Sequence, residues 1–353
     1  MVSTSNLQSR RIDVEDSFDA IQDYYDEQGW TDGLPVVPAT EELVRRMLAG
    51  CEGAPNDSLG IIQPRNARVT LEKIAINAVM AGCRPEYFPV VVAAVKAMLQ
   101  DEFNVAGVSS TTGGATPAVI VNGPIARRLG INGDAGCFGP GYRANSSIGR
   151  ALRLMIRNVG GLIPGEMDKA TLSTPARFSF CFSENEERSP WEPRHLELGY
   201  SPSDSIVTVA GIRGIYVVME TTVPTGFEVL QTLVGTMTGS GVSNYYQIGT
   251  GAQIVLVLCP EHAADIAASG LSKADVREYV YQNARMPLRQ LIGVAHYGNR
   301  NWPSWVDEAN PDTMVPIVRS ADDLVVVVAG GDGRHSAWLA GWGVTRIVTQ
   351  QIV

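Results

Sequence analysis

Leu324-Val325-Val326-Val327-Val328 is the stretch that decides the fold class. Five apolar residues in a row, four of them β-branched, leave no polar side for water, so the run suits a strand covered on both faces. Two other runs read the same way: Ala118-Val119-Ile120-Val121 and Ile254-Val255-Leu256-Val257-Leu258. Each leads into turn residues and then a helical pattern. The turns are Asn122-Gly123-Pro124, Cys259-Pro260-Glu261-His262, and 329–336 with a short helix after it. Residues 207–209 and 214–219 read as further strands, and 177–184 alternates as a strand does. Repeated strand, turn and helix units predict an α/β fold: two packed halves with mixed sheets covered by helices. The 353 residues exceed what one core usually spans, which supports the division. The expected boundaries are 1–165, a connecting segment 166–204, and 205–353, with residues 1–13 as a loose arm.

Between the first two runs, residues 133–149 read G-D-A-G-C-F-G-P-G-Y-R-A-N-S-S-I-G. Gly133, Gly136, Gly139 and Gly141 permit tight turns and close approach of backbone to a ligand. Asn145, Ser146 or Ser147 can cap the helix that follows, whose inner face is Ile148, Ala151, Leu152, Met155 and Val159. A helix start with free N–H groups, with the Arg143 guanidinium beside it, suits an anion or carboxylate. An ordinary turn capping a core helix is the competing reading. Arg150, Arg153 and Arg157 fall opposite the core stripe, toward solvent or a second subunit.

Other stretches carry chemistry. Trp30 and Asp32, in G-W-T-D-G-L-P, offer an aromatic wall and a carboxylate. Cys83-Arg84-Pro85-Glu86-Tyr87 bends the chain between a helix capped by Thr70 and one near 89–99. There Arg84 lowers the thiol pKa and the preceding helix end raises it. Ser109, Ser110, Thr111, Thr112 and Gly113 form a hydroxyl-rich loop, with Lys73 upstream as a candidate base. Glu184 and Glu186 flank a polar loop near His195. His335 follows a glycine-rich turn and is the strongest general-base candidate among four histidines.

The net charge of −9 argues against nucleic acid and acidic membrane surfaces as partners. No run is long enough to span a bilayer, and the polar start lacks an export signal core. Five scattered cysteines without a C-x-x-C pair suggest neither a zinc ribbon nor a disulfide framework. A cytoplasmic homo-oligomer acting on a small molecule is the expectation, with no cofactor indicated.

Six segments carry a resemblance: W-T-D-G-L-P (30–35), A-V-M-A-G-C-R-P-E-Y (78–87), I-V-N-G-P-I (120–125), G-P-G-Y-R-A-N-S-S-I-G-R-A-L-R-L (139–154), E-N-E-E-R-S-P-W (184–191) and A-G-G-D-G-R-H-S (329–336). Together they resemble an uncharacterised bacterial family whose members stand alone or accompany a domain bearing a Sec-Gly-Ser-Cys motif. That motif is absent from this sequence. The resemblance implies a small-molecule enzyme or an accessory to redox chemistry. It draws attention to Asp32, Cys83, Glu86, Asn122, Arg143, Asn145, Glu184, Glu186 and His335.

The leading expectation is an enzyme acting on a small anionic or carbonyl-bearing substrate, by hydrolysis or lyase-type cleavage in a cleft between the halves. Lys73, Cys83, Glu86, Ser109, Ser110 and His335 are the catalytic candidates. Trp30, Asp32, Thr111, Thr112, Gly113, Asn122, Gly139, Gly141, Arg143, Asn145 and Ser147 are the substrate-binding candidates. The alternatives are a non-catalytic ligand-binding or redox-accessory protein, and a metalloenzyme using Glu184, Glu186, Glu261, His262 or His335.

Overall fold

The computed structural model describes residues 7–222, 225–241, 245–293 and 302–353. Its strands are β1 (Ser58–Ile62), β2 (Ala67–Thr70), β3 (Thr116–Asn122), β4 (Cys181–Ser183), β5 (Ile206–Met219), β6 (Ile254–Leu258), β7 (Arg285–Pro287), β8 (Met314–Pro316), β9 (Leu324–Val328), β10 (His335–Gly341) and β11 (Val348–Gln351). Its helices are α1 (Phe18–Glu27), α2 (Glu41–Leu48), α3 (Leu71–Met80), α4 (Phe88–Met98), α5 (Val105–Ser110), α6 (Pro124–Leu129), α7 (Arg143–Asn158), α8 (Arg194–Glu197), α9 (Gly226–Gly239), α10 (Tyr246–Thr250), α11 (Pro260–Ala268) and α12 (Lys273–Asn283).

The three apolar runs become β3, β6 and β9, and every residue in them is buried. They lie in one seven-stranded mixed sheet of order β4-β3-β5-β10-β6-β9, with β11 also paired to β5. β3 with β4, and β6 with β9, are parallel, and the remaining pairings are antiparallel. The fold is therefore α/β, a curled mixed sheet covered by helices. Alternation along the strands shows how the faces are used. Ala118, Ile120, Val255, Val257, Val325 and Val327 meet Phe180 and Phe182 in one cluster inside the curl. On the outside, Val119, Val121, Val207 and Val209 pack under α3, α4 and α7. Leu256, Leu258, Val326 and Trp338 pack under α9, α11 and α12.

Local signals place most helix starts. Ser17, Thr40, Thr70 and Ser272 each accept a bond from a first-turn amide. Pro89 sits in the first turn of α4, where a missing N–H costs nothing. Four local expectations change. Residues 207–209 and 214–219 are parts of the single 14-residue β5. Residues after Ser336 continue as β10, because pairing with β5 and β6 overrides the helical leaning of Ala-Trp-Leu-Ala. The strand in 177–184 shrinks to β4. The described part of the arm, from residue 7, is tied down as well, since the Gln8 and Ser9 amides donate to the buried Glu72 carboxylate at 2.9 and 2.8 Å.

Candidate active site

α7 starts at Arg143 after Tyr142, with no side-chain cap, so Asn145, Ser146 and Ser147 are not caps. Asn145 is buried and clamps the loop before the helix instead. Its Oδ1 accepts from Asn132 N at 2.8 Å, and its Nδ2 donates to the carbonyls of Asn132 and Cys137. Gly139 N is taken by Gly136 O at 2.8 Å. Gly141 has φ +119° with open space around it, a conformation that favours glycine. The Ser147 hydroxyl donates back to Arg143 O at 2.7 Å. The loop is thus largely satisfied by its own side chains and carbonyls. The first-turn amides 143–145 precede any intrahelical acceptor, and Ser146 is the first to find one, Tyr142 O at 3.0 Å.

Arg143 reaches across to the 82–86 bend, where Nε and Nη2 both donate to Gly82 O, at 3.0 and 2.9 Å. Beside this contact lies a cavity of about 460 Å³ lined by Cys83, Arg84, Glu86 and Arg143 from these two elements, and by Arg46 and Met47 of α2. It brings together three residues named from the sequence, Cys83, Glu86 and Arg143. Arg46, Arg84 and Glu86 have no side-chain partner among the described residues. Three guanidiniums against one carboxylate make the lining net cationic, and all four side chains are exposed. The residues lining the cavity all fall between 37 and 143, within the expected first half and not in a cleft between two.

Cys83 is buried and its thiol disfavours the thiolate form. Burial pushes its thiol pKa up to about 12, against the smaller lowering effects of Ser147 and the Arg143 charge. The S–H donates to Ser147 O at 3.3 Å. The conflict between Arg84 and the helix end is therefore settled by a third effect, desolvation. Cys83→Ala is expected to lower stability by about 1 kcal/mol while leaving any turnover unchanged; denaturant melts beside activity measurements check both.

The remaining candidates are placed elsewhere. Ser109 and Ser110 are in α5, not a loop. Ser109 is buried, and Ser110 Oγ donates to Ala106 O at 2.6 Å. Lys73 Nζ donates to Arg68 O at 2.9 Å, and no hydrogen bond joins it to Ser109 or Ser110. Thr111 Oγ1 accepts from Trp342 Nε1 at 3.1 Å, and Thr112 and Gly113 are exposed. Trp30 meets Tyr24 and Tyr25 edge-on. Asn122 is fully buried and donates to Glu184 and Glu186 at 2.6 and 3.1 Å. His335 is exposed, and its Nδ1 is paired with Gly333 O.

A different histidine sits in a polar cluster. His262 Nδ1 meets Ser336 Oγ at 2.7 Å and its Nε2 meets Glu220 O at 2.9 Å. Ser336 Oγ also accepts from Cys259 N at 3.0 Å. Burial raises the Cys259 thiol pKa, but bonding to His262 outweighs it and holds the thiol below its ordinary value. His262, conversely, is held above its ordinary value despite burial. The Cys259-Pro-Glu-His262 spacing, one turn at the start of α11, is the signal that could have marked this pair. Glu261 is occupied too, accepting from Gly333 N and Arg334 N at 2.6 and 2.8 Å. Among the described residues no group of three or more His, Cys, Asp and Glu is placed to hold a metal ion.

The outer arginines of α7 are corrected as well. Arg150 grips Asp32 with two bonds of 2.8 and 2.7 Å, and Arg153 and Arg157 donate to Arg177 O and Gly29 O. The face opposite the core stripe is covered by residues 29–35 and 162–178, so these side chains turn inward.

Comparison with protein-family models, curated proteins and solved structures found no significant match. Among the described residues no helix is long and apolar enough to cross a membrane.

Proposed function

We propose that this protein is an enzyme acting on a small anionic or carbonyl-bearing substrate, bound in the cavity between α2, the 82–86 bend and the start of α7. The observation that carries the reading is that Arg46, Arg84 and Arg143 line one cavity with a single unpaired carboxylate, Glu86. Guanidiniums bind carboxylates through paired N–H donors, and they also stabilise charge that develops on a carbonyl oxygen. Glu86 can then take the proton from the carbon next to that carbonyl. The electron pair moves into the carbonyl system, and its return expels a leaving group from the next carbon. Of the two expected reaction classes, this lyase-type cleavage fits better than nucleophilic hydrolysis. The lining thiol is held protonated, and the serine candidates lie in another helix.

A panel of β-substituted carboxylates, followed by product detection, tests the proposal. With a substrate in hand, Glu86→Gln should lower kcat by about 10²–10⁴-fold with little change in KM. Arg84→Met removes a guanidinium without a protein partner and should raise KM about tenfold or more. Full turnover in Glu86→Gln would sink the catalytic assignment. Tight binding without product, unaffected by Glu86→Gln, would instead favour a ligand-binding protein.

A further inference from the structure

A second cavity, of about 430 Å³, is lined by Arg153 and Arg157 of α7, by Asp32, and by side chains from the segment between Leu162 and Phe178. Its carboxylates are already neutralised. Asp32 is held by Arg150, with both side chains 15 % exposed, and Asp168 by Arg177, at 6 and 8 %. Two lining cations, Arg153 and Arg157, have no carboxylate partner among the described residues. Arg153, a half-buried lining residue, uses Nε on Arg177 O at 3.1 Å; its Nη1 has no acceptor and lies below the cavity surface. A guanidinium with an unused buried donor is costly, and the nearby Asp168 and Asp32 charges offset that cost only in part. Burial, with the Arg177 charge adding to it, lowers the Arg153 pKa to about 10, which still leaves it charged at neutral pH.

The rim has the opposite character. Leu172 is 93 % exposed and Phe178 50 %, and both line the cavity. Between them and the floor, Ser173 is held at φ +69°, a left-handed conformation a serine rarely adopts. An unpaired cationic floor beneath an exposed apolar rim matches a ligand with two unlike ends.

We propose that this cavity binds an amphipathic monocarboxylate, its anionic head on Arg153 and Arg157 and its aliphatic or aromatic body under Leu172 and Phe178. The volume falls in the range of small-molecule sites. With both carboxylates ion-paired, the cavity holds no free proton acceptor, so its role is binding, distinct from the Glu86 cavity.

Calorimetric titration of the intact protein with linear carboxylates from acetate to octanoate, with phenylacetate, and with inorganic phosphate as a head-only probe, tests this. Affinity should rise about fourfold per added methylene until the rim is filled. Arg153→Met should weaken octanoate at least about tenfold. Leu172→Ser, at a nearly fully exposed position that should not disturb folding, should flatten the chain-length series. Acetate or phosphate binding as tightly as octanoate would overturn the apolar half of the proposal. Absence of binding across the whole series, or octanoate affinity unchanged in both variants, would overturn the site. None of these readouts involves Glu86.

Discussion

Lys273→Met is expected to destabilise the protein by about 3–5 kcal/mol, the cost of leaving a buried charge without its partner. Glu184 has a fully buried side chain just beyond β4, and Lys273 Nζ meets its Oε1 at 3.2 Å from the start of α12. The same carboxylate accepts from Asn122 Nδ2, Arg194 N and Val328 N. Next to it, Asn185 N donates to Val328 O at 2.7 Å, so the carboxyl ends of the outer strands β4 and β9 are tied together here. Methionine fills the space of the lysine stem but leaves the carboxylate charged, or forces it to take a proton. Urea melts of the two proteins measure the difference. Adding Glu184→Gln to Lys273→Met should recover part of the loss, because the stranded charge is then gone. A single variant as stable as wild type would show that the ion pair does not hold the curl of the sheet.

Asp168→Asn is expected to cost about 3 kcal/mol at neutral pH and much less in acid. Asp168 and Arg177 are both nearly buried and ion-paired, and Arg177 also donates to Ala115 O and Ser109 O. Burial raises the Asp168 pKa, but the Arg177 bond and charge lower it more, so the net value lies below the ordinary one. A carboxyl that ionises more readily in the folded state stabilises fully above its unfolded pKa, about 3.9. That contribution is lost as pH falls through the lower folded value. The stability gap between wild type and Asp168→Asn should therefore be constant from neutral pH down to about 5, and close below about 4. A gap that is unchanged at pH 3 would mean that the asparagine acts through packing and not through charge.

The candidate residues divide by how far apart in the chain their partners lie. Cys83 and Glu86 share one bend, and a helix-break argument at Pro85 and Pro89 reaches it without knowledge of the fold. That Arg143 closes on this bend from 61 residues away is a tertiary fact. The choice of His335 over His262 rested on the glycine-rich turn before His335. The structure sets the two apart: His335 opens β10 and is exposed, while His262 is buried with both ring nitrogens bonded, to Ser336 and Glu220. Arg153 and Arg157 read as outward because helical periodicity reports only which face is apolar. Periodicity is silent on whether another segment covers the polar face, and here residues 29–35 and 162–178 do.

What the sequence determined by itself is the class of architecture: three β-branched runs without a polar side require cover on both faces, and nearby capping residues together with first-turn prolines mark most of the helix starts. Those are short-range or one-dimensional properties. The tertiary structure alone decided that the strands share one curled sheet, which charges are paired, and which cations are left over. Charge pairing depends on distances between residues tens to hundreds of positions apart, and no local pattern encodes them.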